Sequence, residues 1–415
     1  MTVLTLILAG GPARGMSVLS AERPKPVLPF GGKYRIIDVV LSNVANSGLD
    51  RVAVLAQFNP APLVRHIGAG DPWGLDRDSP KGVEIWLPGF AGGEQRWYQG
   101  SADALHQNRD LIAATGCDRV LILAADQIYK LDYRALLRFH DDKGAGLTIA
   151  ATHVPQEEAH RFGIMDVDND RRVTAFAEKP AQPRSTLASL GFYVVNTEVL
   201  LREVGEGVRD IGRDLIPRMV AQKAAYAYPF DGPWADIGTI QGYWETNLAL
   251  LDEPERFDLA DPGWPIATRT EPRPAAWLGA RSAVRDAMVA GGCVIHGAVV
   301  HSVLSPGVTV AARAIVRDSV IMHDAVIGPG AVVDRCVVDE AAHIGANARV
   351  GAGDPATPNR REPDRLTTGI TLVGAGAHVP GGATIGRNCI IDPHTTEADY
   401  DVLDVPSGGT VTRRD

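Results

Sequence analysis

What the chain lacks narrows its class. Only four cysteines occur in 415 residues, at Cys117, Cys293, Cys336 and Cys389, with no Cys-x-x-Cys pair. That pattern is not a disulfide framework; it reads as the reduced, mostly buried thiols of a cytoplasmic protein. No apolar run approaches the roughly 18 residues of a membrane-spanning helix, so no membrane segment is expected. A core strand opens at the third residue, so no signal peptide is expected either. Positive charge is in deficit: the net charge is −9, without the basic footprint of bulk nucleic-acid binding. A local basic pocket for phosphates is not excluded. There is no low-complexity tract, and 45% hydrophobic with 22% charged residues is a globular composition. The length implies two or three structural units.

What is present is organised around the first thirty residues. Val3-Leu4-Thr5-Leu6-Ile7-Leu8 is a short, β-rich apolar run and predicts a buried strand. It empties into Ala9-Gly10-Gly11-Pro12-Ala13-Arg14-Gly15, and the chain continues through Arg23-Pro24-Lys25-Pro26. Glycines after a buried strand let backbone N–H groups approach a ligand, and Arg14, Arg23 and Lys25 add positive charge, so the stretch suits a phosphate or nucleotide. An ordinary turn between strand and helix has a similar composition.

Strands and helices alternate over the first ~250 residues. Further strands are expected at 51–56, 120–124, 147–151 and 190–195, with a hairpin of 164–167 and 173–178 around Asp168-Asn169-Asp170. Helical patterns cover 102–114, 133–143, 197–204 and 240–251. This alternation predicts an α/β unit, a mostly parallel Rossmann-like sheet with helices on both faces, over residues 1–252. Pro254, Pro262, Pro265, Pro272 and Pro274 then mark an extended linker, 253–275.

From 276 to 415 aliphatic residues recur every six positions, as in Leu304, Val310 and Val316, or Ile321, Ile327 and Val333. Small residues follow them, as in Ile327-Gly328-Pro329-Gly330-Ala331. A hexapeptide period of β-formers predicts a parallel β-helix, each repeat forming one wall of a coil. The polar stretch 353–366 reads as a loop inserted into it. His296, His301, His323, His343 and His378 either line an acyltransferase groove or stand on the coil walls.

Asp126 ends the run 120–125, at the strand edge where α/β sheets bind ligands. Asp236, in Trp234-Ala235-Asp236-Ile237-Gly238, is a second carboxylate; two aspartates converging there hold Mg²⁺, whereas singly either one suits a cap or a turn. Lys179, in Glu178-Lys179-Pro180, suits a phosphate contact or a solvated turn. Trp97-Tyr98-Gln99-Gly100-Ser101-Ala102-Asp103 leads into a helix whose N–H groups make another anion site. Lys33 and Arg35 lie close to the first loop in sequence.

Taken in order, the glycine loop, Phe30-Gly31-Gly32-Lys33-Tyr34-Arg35-Ile36-Ile37-Asp38, Leu41-Ser42-Asn43, the Trp97 stretch, Ile128-Tyr129-Lys130-Leu131-Asp132-Tyr133, Glu178-Lys179-Pro180 and the Trp234 stretch resemble the ADP-glucose pyrophosphorylases of the sugar-nucleotidyltransferase superfamily. The resemblance covers nearly the whole chain and implies a left-handed β-helix at the C-terminus. It implies that glucose 1-phosphate attacks the α-phosphorus of ATP, giving ADP-glucose for glycogen synthesis and pyrophosphate. It makes Asp126, Lys25 and Arg14 catalytic, with Asp126 and Asp236 as carboxylates for Mg²⁺. It assigns Gly10, Gly11, Tyr98, Gly100, Asp103, Glu178, Lys179, Ser189 and Gly191 to substrate, and Arg23, Arg35 and Gln57 to regulation. It implies anionic metabolite effectors and a tetramer, homomeric or built with a paralogue.

The departures gather at the first loop. Relatives read Gly-Gly-x-Gly-Thr-Arg-Leu where this chain has Gly10-Gly11-Pro12-Ala13-Arg14-Gly15-Met16. Ala13 replaces a glycine, and Gly15 stands where the triphosphate-binding arginine belongs. Gly-Asp-His becomes Ala125-Asp126-Gln127, the stretch 87–93 lacks a base-reading glutamine, and Glu22 replaces an activator-binding lysine. Three readings stay open on the sequence: an adenylyltransferase with a remodelled loop, a catalytically impaired regulatory subunit assembled with an active paralogue, and a pyrophosphorylase for another nucleotide.

Overall fold

The computed structural model describes residues 2–11, 14–76, 81–91 and 94–414. Strand Val3–Leu8 is apolar on both faces because both are covered. Leu4 and Leu6 enter one hydrophobic cluster with the helices of 101–114 and 216–221. Ile7 enters another with helices Ile36–Asn46, Ala61–Ile67 and Tyr133–Asp142. Strand Val3–Leu8 lies between Arg51–Leu55 and Arg119–Ala124, and Gly82–Trp86 adds to the far side of Arg51–Leu55, all parallel.

The long strand Leu187–Asn196 runs antiparallel to Arg119–Ala124, to Leu147–His153 and, at one residue pair, to Gly163–Val167. It follows directly from the hairpin Gly163–Val167 and Val173–Glu178, with no crossover helix to reverse it. The expected helix 102–114 is broken into Ser101–Gln107 and Arg109–Ala114. At the break the Asn108 amide donates to Tyr98 Oη (2.9 Å) and to the Ala104 carbonyl (2.8 Å), side-chain bonding that competes with the backbone ladder.

The C-terminal region is a parallel β-helix. Residues seventeen apart stand opposite each other, as Ile315 does Val332 and Val326 does His343. The walls stack Val299, Val316, Val333 and Val350 in one column and Ile295, Val310, Ile327 and Ile344 in another, all buried in one core. Three six-residue walls less one residue make each of these central coils, which accounts for one-residue slips in the repeat; the coil that carries the insertion sets residues thirty-five apart opposite each other, as His343 and His378.

The two regions share a third core. Met16, Leu19, Tyr243 and Trp244 pack with Val303, Val337, Leu366 and Leu372 of the β-helix side. The proline-rich stretch is tied to helix Ile36–Asn46: Trp264 Nε1 donates to Asn43 Oδ1 (2.7 Å) and the Ala267 N–H to Ser42 Oγ (2.9 Å). All four cysteines are free and buried. Among the described residues no helix is long and apolar enough to cross a membrane.

Candidate active site

Strand Val3–Leu8 delivers Gly10 and Gly11 to the C-terminal edge of the sheet. There they line a cavity of about 470 Å³ with Lys25, Tyr98, Gly100 and Asp126. Gln57 belongs to the same cavity. Its amide donates to the Tyr98 carbonyl (3.3 Å) and the Gly10 carbonyl (3.4 Å) and accepts from the Tyr98 N–H. Gln57 is thus apart from Arg23 and Arg35, with which the sequence reading grouped it. Phe58 and Trp97, both exposed, stack at the rim with ring centroids 5.7 Å apart.

The expected anion site at the start of helix Ser101–Gln107 is not available. The Ala102 and Asp103 N–H groups both donate to the Arg209 carbonyl, at 2.9 and 3.1 Å. A Cβ on Gly100 would stand 2.3 Å from that same oxygen, so glycine is what allows the approach. The Asp103 carboxylate accepts from the Gln99 N–H (2.7 Å) and Gln107 Nε2 (2.8 Å), holding the helix end.

Asp126 and Asp236 are brought together by a two-stranded ribbon. Gln127–Tyr129 pairs antiparallel with Trp234–Asp236, which sets Asp236 opposite Gln127. Each carboxylate has a cation: Lys25 Nζ is 2.7 Å from Asp126 Oδ2, and Arg161 Nη2 is 2.8 Å from Asp236 Oδ2. Burial raises the Asp236 carboxyl above its ordinary value, and the charge of Asp126 adds to the rise, against Arg161 and Lys25. Two carboxylates that repel in a partly buried site are a donor set a divalent cation relieves. Among the described residues no group of three or more acidic, histidine or cysteine side chains forms a complete cage.

The Glu178 carboxyl packs over Gly163 and Gly212, where a Cβ on either would fall within 3 Å of it. Burial raises it, with Lys179 opposing and Asp210 adding to the rise. Lys179 is exposed in left-handed backbone (φ 47°), its N–H donating to the Phe162 carbonyl (3.0 Å). Ser189 Oγ lies 3.3 Å from Tyr193 Oη and accepts from the Gly191 N–H at 3.3 Å. Gly191, at φ 76°, faces Ala124 and Gln127 Nε2, which a Cβ there would meet at 3.5 and 3.7 Å. Trp234 Nε1 fixes the other end of that amide, donating to Gln127 Oε1 (3.0 Å). Gly191 thus meets Gln127 of the aspartate ribbon, while Gly10, Gly11 and Lys25 share a cavity with Asp126.

Ala13 lies outside the described residues, as does the Arg14 side chain. Gly15 is described, and a Cβ on it would stand 2.4 Å from the Gly238 carbonyl oxygen. The arginine-to-glycine departure therefore coincides with a backbone-to-backbone contact beside Asp236.

Arg23 and Arg35 line a second cavity, about 700 Å³, between the sheet unit and the β-helix. Arg23 pairs with Asp339 and Glu340, and Arg35 Nη1 is 3.2 Å from Glu340 Oε1. Burial opposes ionisation of Glu340, but Arg23, Arg35 and His323 outweigh it and hold the carboxyl below its ordinary value. Burial, helped by Arg35, pushes His323 down to about 4. Glu22 pairs with His394 (2.6 Å) at the same cavity. The β-helix histidines do not converge on a groove: His301 bridges Asp318 and Asp252, His343 stacks on His378, and His296 meets Trp277 edge-on.

The sequence reading missed Arg161, Tyr193 and Asp210. Asp210 carried a signal, since an aspartate opening a helical stretch is a cap, and its side chain accepts from the Arg213 N–H. Nothing local distinguished Arg161, whose role comes from a strand 75 residues away.

A glycine-lined cavity beside two facing carboxylates at the edge of a parallel sheet, with a β-helix appended, suits a nucleotidyl-transfer protein. Comparison agrees: residues 4–253 match the nucleotidyl transferase family and residues 275–373 the GlmU-like C-terminal hexapeptide family. The chain is 48% identical to a glucose-1-phosphate adenylyltransferase of Thermomicrobium roseum, over 99% of this chain and 97% of that protein. It is 40% identical to that of Acetivibrio thermocellus over 99% and 98%, and 43% identical to that of Clostridioides difficile over 84% and 92%. The chain belongs to the nucleotidyl transferase family and, within it, to the glucose-1-phosphate adenylyltransferases.

Proposed function

We propose that the chain makes ADP-glucose and pyrophosphate from ATP and glucose 1-phosphate. The observation that carries this reading is the ribbon that sets Asp236 opposite Gln127, next to Asp126, at the edge of the cavity lined by Gly10, Gly11 and Lys25. The nucleotide occupies the glycine cavity, and the sugar phosphate lies over Gly191 with Glu178 and Lys179 at its edge. An oxygen of the sugar's phosphate then meets the α-phosphorus in line, and pyrophosphate departs. No covalent intermediate is required; alignment and charge stabilisation do the work.

Lys25, 2.7 Å from Asp126, sets a cation where negative charge gathers. Asp126 and Asp236 would hold Mg²⁺, whose preference for phosphate oxygens completes its shell and which neutralises charge on the transferring group. Arg23 and Arg35, with Glu340 as their internal counter-ion, form the cavity for anionic effectors, and the chain assembles as a tetramer.

The test is pyrophosphate release by the purified chain with Mg²⁺, glucose 1-phosphate and each of ATP, UTP, GTP and dTTP. Turnover with ATP in clear preference to the others is the expected result. Turnover with another nucleotide alone would reassign the substrate, and no turnover with any, with or without anionic effectors, would leave a regulatory subunit.

A further inference from the structure

Two features of the sequence remain without a role in that account: Gly15, and the polar insertion 353–366 of the β-helix. The structure joins them. The segment Arg14–Ser20 leaves the glycine loop as a tight 3-10 turn, and within it Ser17 is a non-glycine residue in positive-φ backbone (φ 49°). Its hydroxyl donates to Glu362 Oε1 of the insertion at 2.7 Å, across 345 residues of sequence. Glu362 is largely buried, and its second oxygen, without a hydrogen bond, faces Arg365 Nη1 at 3.8 Å. The insertion is itself anchored: the Glu362 N–H donates to Asn359 Oδ1 (2.9 Å), and Asn359 Nδ2 donates into the end of the β-helix at the Asn388 carbonyl (2.9 Å). Met16, next to Ser17, and Leu366, at the end of the insertion, are fully buried in the same core.

From Ser17 the contacts run inward. Two residues before it, Gly15 faces the Gly238 carbonyl so closely that a Cβ would stand 2.4 Å from its oxygen. The N–H of that same Gly238 donates to Asp236 Oδ1 at 3.0 Å. Gly238 thus lies between the exit of the glycine loop and the buried carboxylate, touching both. An ordinary side chain at position 15 would break the first contact, and a slack Ser17 would let the loop leave it.

We propose that Glu362 is a positioning residue: through Ser17 it seats Gly15 on Gly238 and so holds the glycine loop against the Asp236 strand end. This rests on the nucleotidyl-transfer reading given above. The β-helix insertion is then part of the catalytic architecture, and the glycine at position 15 is what the seat requires.

The experiment compares the full-length chain with Glu362→Ala, Glu362→Gln, Ser17→Ala and the double variant Ser17→Ala/Glu362→Ala. Two readouts are used: steady-state kinetics with ATP and glucose 1-phosphate varied separately, and amide hydrogen exchange of the Arg14–Ser20 segment. Misplacement of a reacting group costs about tenfold to a hundredfold in rate, so Glu362→Ala and Ser17→Ala should each lower kcat by about that factor. KM for glucose 1-phosphate should stay unchanged. The double variant should be no worse than either single one, because both remove the same bond. Glu362→Gln, whose amide oxygen still accepts from Ser17, should keep most of the activity, and exchange in Arg14–Ser20 should quicken in Glu362→Ala but not in Glu362→Gln. Unchanged kcat and unchanged exchange in Glu362→Ala would overturn the proposal, as would losses that multiply in the double variant. A wild-type chain without turnover would refute the functional reading instead, and the exchange data would still decide whether Glu362 holds the loop.

Discussion

Gly15 shows how one position changes meaning between sequence and structure. In the sequence it is a missing arginine. In the fold its absent side chain is what permits contact, since a Cβ there would sit 2.4 Å from a backbone oxygen that no rotamer can move. Overpacking of this kind costs ~1–3 kcal/mol, so Gly15→Ala should lower kcat about tenfold or more, with a parallel fall in Tm. Activity equal to wild type would show that the loop yields freely. The same geometry argues against restoring function by placing an arginine at position 15 alone. Gln127 is a second case: the histidine-to-glutamine departure puts an amide, clamped by Trp234, beside Gly191. Asp126 and Glu178 were legible because each sits at a strand end that periodicity locates, Asp236 by its place in the Trp234 stretch, and Ser189, inside strand Leu187–Asn196, only through the family resemblance. Their partners were not, because Arg161, Tyr193 and Gly238 reach them through tertiary pairing.

At the scale of elements, periodicity located seven of the nine strands of the main sheet but missed Gly82–Trp86, Ala225–Pro229 and both strands of the aspartate ribbon, and the six-residue repeat announced the β-helix before any contact was known. It did not reveal that Leu187–Asn196 is antiparallel, since direction depends on the connection and not on composition. Nor did it show that helix 102–114 is broken, which depends on Asn108 finding Tyr98. The supposed anion site before that helix failed for a like reason: its N–H groups are spent on the Arg209 carbonyl.

One junction between elements carries a pH dependence. His301 Nδ1 lies 2.6 Å from Asp318 Oδ1 and its Nε2 3.1 Å from Asp252 Oδ1, at the end of helix Ile240–Asp252, and the protonated ring donates to both. Burial works to lower its pKa, but the two carboxylates outweigh burial and raise it above 6.5. A raised histidine contributes stability that is fully present below its ordinary value and is lost as pH rises through the raised one. His301→Ala should therefore lower Tm at about pH 6 and approach wild type at about pH 9. A Tm difference that stays constant across that range would mean that packing, not charge, makes the junction.

Over the whole molecule, the sheet unit and the β-helix form one hydrophobic body, with a second cavity along their seam lined by Arg23, Arg35 and Glu340. The division into a sheet and a coil was readable from the change in period. Their common core was not, because Met16 and Leu366 are distant in sequence and unremarkable in composition. That core sets the glycine loop, the aspartate ribbon and the insertion 353–366 against one another, so the active centre depends on both halves of the chain.

The central claim is that Asp126 and Asp236 together form the centre at which ATP and glucose 1-phosphate react. Its most direct measurement is ADP-glucose formation by Asp236→Asn at saturating substrates and Mg²⁺, beside the Tm of the same protein without metal. The Asp236 carboxyl is raised by burial and by Asp126, so its charge destabilises the fold above the raised value, and that penalty disappears below the ordinary carboxylate range. The substitution should therefore leave Tm at neutral pH unchanged or higher, while kcat falls by about 10²–10³ through loss of a charge-stabilising contact. A folded Asp236→Asn protein that makes ADP-glucose within about twofold of the wild-type rate, far short of such a loss, would contradict the account.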